Sequence, residues 1–149
     1  MKRSFQIAAL GVLLTICLGA CNKKNDNNPN ASASSTWSFG GTTYNASTVV
    51  FTNNSLLGVS KTNSQETIGL LFSSRPAAGN YQVVSSNVSG GQCSIQATGA
   101  GNQVVFSQGG GTVTVALSGG KLHVTFSGVP VVNVSAQGAG NISGDLTEQ

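Results

Sequence analysis

His123 is the chain's one histidine, and with Asp145 and one of many serines it supplies the residue types of a hydrolytic triad, in which an imidazole takes a proton from a hydroxyl nucleophile. Such a nucleophile usually stands on a sharp turn written Gly-x-Ser-x-Gly, and that pentapeptide does not occur. His123 falls at a polar alternating position, so it reads as a solvent-facing imidazole. Paired carboxylates for glycoside hydrolysis would come from Glu66, Asp145 and Glu148, of which the last two sit in a C-terminal stretch expected to fray. A single histidine, with neither Cys-x-x-Cys nor His-x-x-x-His spacing, excludes the usual zinc and copper ligand sets. Asn25-Asp26-Asn27-Asn28 carries oxygens of the kind calcium takes, but in a polar segment with no framework to hold them. Cys93 shares an alternating face with Ile95 and Ala97 and has no basic neighbour to activate its thiol, so it reads as an inert core cysteine. Gly109-Gly110-Gly111 and Gly138-x-Gly140 look like phosphate loops on the surface, yet no helix follows either to receive a phosphate. Trp37, Tyr44 and Tyr81 are candidate ligand-binding aromatics, with core packing the commoner role for such rings. Thr112-x-Thr114 has the spacing of an ice-binding ladder, which would need repetition that the sequence does not provide.

The elements that must position these residues are strands. From Trp37 onward no window of 11 or more residues shows apolar positions at helical spacing. Val113, Val115 and Leu117 alternate with Thr112, Thr114 and Ala116, and Leu122, Val124 and Phe126 alternate with Lys121, His123 and Thr125. Ser118-Gly119-Gly120 between the two runs predicts a hairpin from Gly111 to Ser127, because glycine accepts the positive φ that tight hairpin turns require. Further strands are expected at 36–39, 42–45, 48–52, 56–60, 67–72, 81–85, 93–98, 103–107, 131–136 and 142–147. Pro76 and Pro130 are expected at strand borders, where a missing amide breaks no ladder. The expected fold is all-β, a single antiparallel sandwich or barrel of about ten to twelve short strands over residues 36–149.

The start of the chain differs in kind. Lys2 and Arg3 precede an apolar run from Ile7 to Leu18 that is too short to span a bilayer, which takes about 20 residues. Leu18-Gly19-Ala20-Cys21 closes the run and resembles the bacterial lipobox. That resemblance implies a signal peptide over residues 1–20, removed by a signal peptidase that reads Leu18, Gly19 and Ala20, and lipid attachment, including palmitate, on Cys21. Two or more acyl chains anchor a protein stably where one does not. Residues 22–35, rich in Asn, Lys and Ser with Pro29 and no large apolar side chain, would complete a flexible tether over 21–35, spanning about 20 Å.

Beyond residue 20 five basic residues face four acidic ones, and charged residues are 7% of the chain. The clustered Lys and Arg of a nucleic-acid footprint are missing, so nucleic acid is not an expected partner. Solubility must rest on Ser, Thr, Asn and Gln. Trp37-Ser38-Phe39-Gly40-Gly41-Thr42-Thr43-Tyr44, Arg75-Pro76-Ala77-Ala78-Gly79-Asn80-Tyr81, Gly110-Gly111-Thr112-Val113-Thr114-Val115, Gly120-Lys121-Leu122-His123-Val124-Thr125-Phe126 and Ile142-Ser143-Gly144-Asp145-Leu146 together resemble small β-rich outer-membrane lipoproteins of Bacteroidota. The expectation is therefore a lipid-anchored, non-enzymatic binding or scaffolding domain at the outer membrane, on either face. It uses no cofactor or metal and meets the bilayer through Cys21. Its partner would be an envelope protein, a glycan or a small apolar ligand. Two alternatives stand beside it. A lipocalin-like carrier would enclose an apolar cavity, and a hydrolase would gather His123 and a carboxylate in a cleft.

Overall fold

The computed structural model describes residues 34–149, so Leu18, Gly19, Ala20, Cys21 and nearly all of the tether lie outside the described residues. Ten strands carry the chain: β1 (Thr36–Phe39), β2 (Thr42–Thr52), β3 (Ser55–Ser60), β4 (Thr67–Phe72), β5 (Gly79–Val83), β6 (Gln92–Gly99), β7 (Gln103–Ser107), β8 (Thr112–Ser118), β9 (Lys121–Asn133) and β10 (Gly138–Thr147). A three-residue 3-10 turn, Ala100–Asn102, links β6 to β7. The fold is all-β, as the alternating sequence requires.

The strands form one sheet that closes in a ring. Around it run β1, β2, β3, β4 and β6, and on the other side β1 pairs with β10 and β10 with β9. Between β6 and β9 the wall forks. One branch is β7, which pairs with β6 through Gln96–Gly99 and with β9 through Val131–Asn133. The other is β5 with β8, where β5 joins β6 at Gln92 and Cys93, and β8 joins β9 at Lys121–Phe126. The β5–β6 pairing is parallel while the others are antiparallel, so the sheet is mixed where the sequence suggested a purely antiparallel one. Closure pairs strand edges that would otherwise invite other chains.

Two pairs of expected strands are each one long strand. The segments 42–45 and 48–52 join in β2 through a register shift between Ala46 and Thr48. The hairpin strand from Lys121 runs on to Asn133 through Pro130, which lies inside β9 rather than at its border. Pro130 is tolerated there because it sits where the neighbour on one edge of β9 changes from β8 to β7. The hairpin itself forms as predicted: Ser118 faces Lys121, and Gly119 and Gly120 hold φ of 59° and 80°, the signs a two-residue type I′ turn needs.

Inward positions fill the ring. Trp37, Leu56, Ile68, Leu70, Val113, Leu122, Val124 and Leu146 are all at most 1% exposed and belong to one apolar cluster. Cys93, Ile95 and Ala97 join it, as their shared face implied. Leu117 departs from its stripe and is 47% exposed near the β8–β9 turn, although Leu122 opposite it is fully buried. The last residues do not fray. The Glu148 amide donates to Leu122 O at 2.8 Å and the Gln149 amide to Val49 O at 2.9 Å. Ser35 already belongs to the ring: it is buried, its hydroxyl accepts from the Thr147 amide at 2.8 Å, and its carbonyl accepts from Ala46 at 2.8 Å.

Candidate functional site

At one mouth of the barrel, four strands leave a recess of about 130 Å³. Its apolar walls are Phe39 at the end of β1, Val105 on β7 and Val131 on β9. The opening comes from β10. Gly140 stands opposite the inward-facing Val131 and Gly138 opposite Asn133, and a Cβ at either glycine would meet nothing within 4 Å. Two positions that would carry inward side chains carry none, and the hollow is what remains.

Side-chain amides border it. Asn133 donates through Nδ2 to Gln103 Oε1 at 3.3 Å, while its Oδ1 accepts from the amides of Ser135 and Ala136 at 3.0 Å each. Asn133 thereby shapes the β9–β10 turn as an Asx-type loop. Ser135 braces that turn against β7, accepting from the Val104 amide and donating to Asn102 O, both at 3.2 Å. Gln103 Nε2 and the exposed Asn141 amide are left for an incoming group, and no charged side chain lines the recess. A space of this size suits one small group, since an apolar cavity of about 150 Å³ takes a benzene ring.

The residues that the sequence put forward are placed elsewhere. Trp37 and Tyr44 are 1% and 4% exposed and stack at 5.3 Å, with Phe39 on the other side of Tyr44 at 5.3 Å. They are core, not an exposed platform, because both strands turn these positions inward. Tyr44 Oη accepts from the Ala100 amide at 3.2 Å, whereas the indole Nε1 of Trp37 is buried without a partner. Tyr81 lies apart from them, edge-on to Phe72 at 5.2 Å and donating to Ala77 O at 3.1 Å.

His123 and Asp145 do meet. Nε2 lies 2.8 Å from Oδ1, on the outer wall, with side chains 40% and 55% exposed. Their cross-strand neighbours are Ala116, Thr147, Thr125 and Thr36, and no serine is among them. Glu148 is drawn away to a different partner. It forms an ion pair with Arg75, which also donates to Gly120 O at 3.0 Å and lies 5.0 Å over the Phe51 ring. The Arg75 hydrogen bond and the Leu122 amide, at 3.0 Å, hold the Glu148 carboxyl below the usual carboxylate range against the opposing effect of burial. Asp145 and Glu148 thus never share a site. Glu66 lies in the β3–β4 connection, where its carbonyl accepts from the Ser60 amide at 2.9 Å.

Burial pushes the Cys93 thiol up to about 12, so it is not a thiolate at neutral pH. Among the described residues no three His, Cys, Asp or Glu side chains converge as metal ligands would. Gly138 and Gly140 were visible in the sequence but suggested only a phosphate loop; the informative signal was that both fall on the inward parity of a strand whose next inward residue is Ile142. No family model matches the chain, and no curated protein or solved structure matches it either.

Proposed function

We propose that this chain is a lipid-anchored, non-enzymatic binding barrel of the bacterial outer membrane. In this reading acylated Cys21 tethers the domain, and the mouth recess takes a small uncharged group of an envelope protein, a glycan or an apolar ligand. The recess carries the proposal: two inward glycines on β10 open an apolar hollow beside the Gln103 and Asn141 amides, a combination that selects neutral groups with one apolar and one hydrogen-bonding part. The chain joins the barrel at Ser35, and β1 then runs to Phe39, so the tether meets β1 at the end away from the recess.

The rival readings have less support. Trp37, Leu56, Ile68 and their neighbours fill the inside, which favours a mouth site over a carrier enclosing its cargo. The His123–Asp145 pair is open to solvent on the outer wall, a poor setting for hydrolysis. Loss of measurable turnover of glycan, ester or peptide substrates on changing His123 or Glu66 would revive the enzyme.

The anchor and the recess are tested separately. Palmitate should label the native chain and not Cys21→Ser, and protease shaving of intact cells reports which face carries the domain. Amide shifts on adding N-acetylglucosamine or indole should cluster at Val105, Val131 and 138–141, and vanish in Gly140→Leu, whose side chain fills the hollow. Label on both chains would remove the anchor, and shifts unchanged in Gly140→Leu would remove the recess.

A further inference from the structure

The first half of β10 has a strand on one side only. β9 accompanies β10 from Gly138 to Thr147, but β1 reaches only as far as Ile142, opposite Phe39. Register shows which backbone groups this leaves over. Pro130 O accepts from the Gln108 amide, and the Val134 amide donates to Val104 O, so alternate residues from Pro130 through Val132 turn their polar groups toward the β7 side. Pro130 and Val132 stand opposite Asn141 and Ala139. These are therefore the non-hydrogen-bonded pairs of the antiparallel ladder, and the amides and carbonyls of Ala139 and Asn141 point away from β9. Among the described residues no strand faces those groups and no backbone bond reaches them. They repeat at every second residue, about 7 Å apart. Ala139, Gly140 and Asn141 are exposed, and the edge carries neither charge nor proline, the usual guards against strand pairing. The mouth recess lies against the same edge, with Gly138 and Gly140 on one side and Phe39 and Gly40, where β1 ends, on the other.

Resting on the reading of the mouth recess as a binding site, we infer that its occupant is polypeptide: a short extended segment of another protein, added as a strand along 138–141. A strand carries amides and carbonyls at the same two-residue repeat, so each free donor and acceptor of Ala139 and Asn141 gains a partner. A sugar or a lone apolar molecule has no such repeat. Residues directly opposite each other on neighbouring strands share a face. The incoming residue opposite Gly140 thus turns its side chain inward, into the hollow that the two glycines leave. About 130 Å³ takes one valine or leucine side chain, smaller than the benzene ring that an apolar cavity of about 150 Å³ holds. Phe39, Val105 and Val131 give that side chain apolar neighbours, and no charge lines the recess, so the segment is uncharged and aliphatic at its inward position. Backbone bonds supply affinity and the recess supplies selection.

Hydrogen exchange of the full chain in detergent, read amide by amide, tests the edge directly. In the free chain the Ala139 and Asn141 amides should exchange quickly, while that of Gly140, paired with Val131, is protected. A saturating end-capped peptide of alternating serine and valine should slow both by about tenfold or more. The same peptide methylated on its serine nitrogens, which lie opposite Ala139 and Asn141, should not, and this arm needs no change to the chain. Ala139→Pro removes one edge donor and spares the β9 ladder, as proline does on edge strands. It should weaken peptide binding about tenfold or more and leave the response to indole in place. Gly140→Leu, which fills the hollow, should abolish both. Indole binding without peptide protection would overturn the added strand and leave the recess standing, whereas no response to indole, N-acetylglucosamine or peptide would remove both. Equal binding of the methylated peptide would show the edge to be idle, and protection that grows with chain concentration alone would show a second copy on it; either result overturns the inference.

Discussion

Ser107 is a hydroxyl in an apolar interior, 3% exposed, and it sits where the barrel wall forks. There β6 gives up one partner strand and takes another, so backbone groups on either side of the fork lose their ladder partners. The hydroxyl bridges the gap: it donates to Val84 O at 2.7 Å and accepts from the Ile95 amide at 3.1 Å. Around it the Gly110 amide reaches Val83 O, and the Val84 amide reaches Cys93 O. Ser107→Ala should therefore destabilise the fold by about 1–3 kcal/mol, because it leaves a buried donor and a half-buried acceptor unpaired. Denaturant titration checks this, and a change within a few tenths of a kcal/mol would mean that water enters the fork. Nothing in the sequence singled out Ser107 among many serines, since its importance comes from two strands that meet it from elsewhere in the chain.

Among the elements, legibility followed the range of the forces. The β8–β9 hairpin was plain because alternation on both arms and two glycines at the turn are local signals. β2 and β9 were each divided, because a bulge at Ala46–Thr48 and a proline at Pro130 interrupt alternation without ending a strand. The recess on β10 was hidden for the opposite reason: Gly138 and Gly140 act by lacking side chains, and only register shows that they face inward. The far end of β10 was expected to be loose and is instead fastened by Glu148 to Arg75 and to the Leu122 amide. This fastening has a pH signature. The folded state lowers the Glu148 pKa, so the pair contributes stability above the unfolded carboxylate value, about 4.3, and loses it as pH falls through the lower folded value. Acid unfolding monitored from about pH 5 to pH 3 should be less steep in Glu148→Gln than in the native chain. Equal slopes would show that solvent screens the pair completely.

At the scale of the whole molecule, a ring in which every strand has neighbours on both edges cannot release one strand without exposing the core. Two strands bordering the fork, β6 and β9, each hold three partners, so opening there breaches both branches of the wall. The barrel should thus open as a single cooperative unit rather than by fraying at one side. Cys93 on β6 is fully buried, with its thiol raised to about 12, and is a natural reporter of that opening. In a chain carrying Cys17→Ser and Cys21→Ser, so that Cys93 is the sole thiol, labelling by a neutral-pH thiol reagent requires the sheet to part. When reclosing is faster than labelling, the observed rate scales with the open population. Its logarithm should then rise linearly with denaturant, with the same slope as global unfolding, and should also rise by the amount that Ser107→Ala lowers stability. A labelling rate that stays flat at low denaturant would mean that β6 opens locally. In that case the fork is a weak seam in the wall, and the ring does not act as one piece.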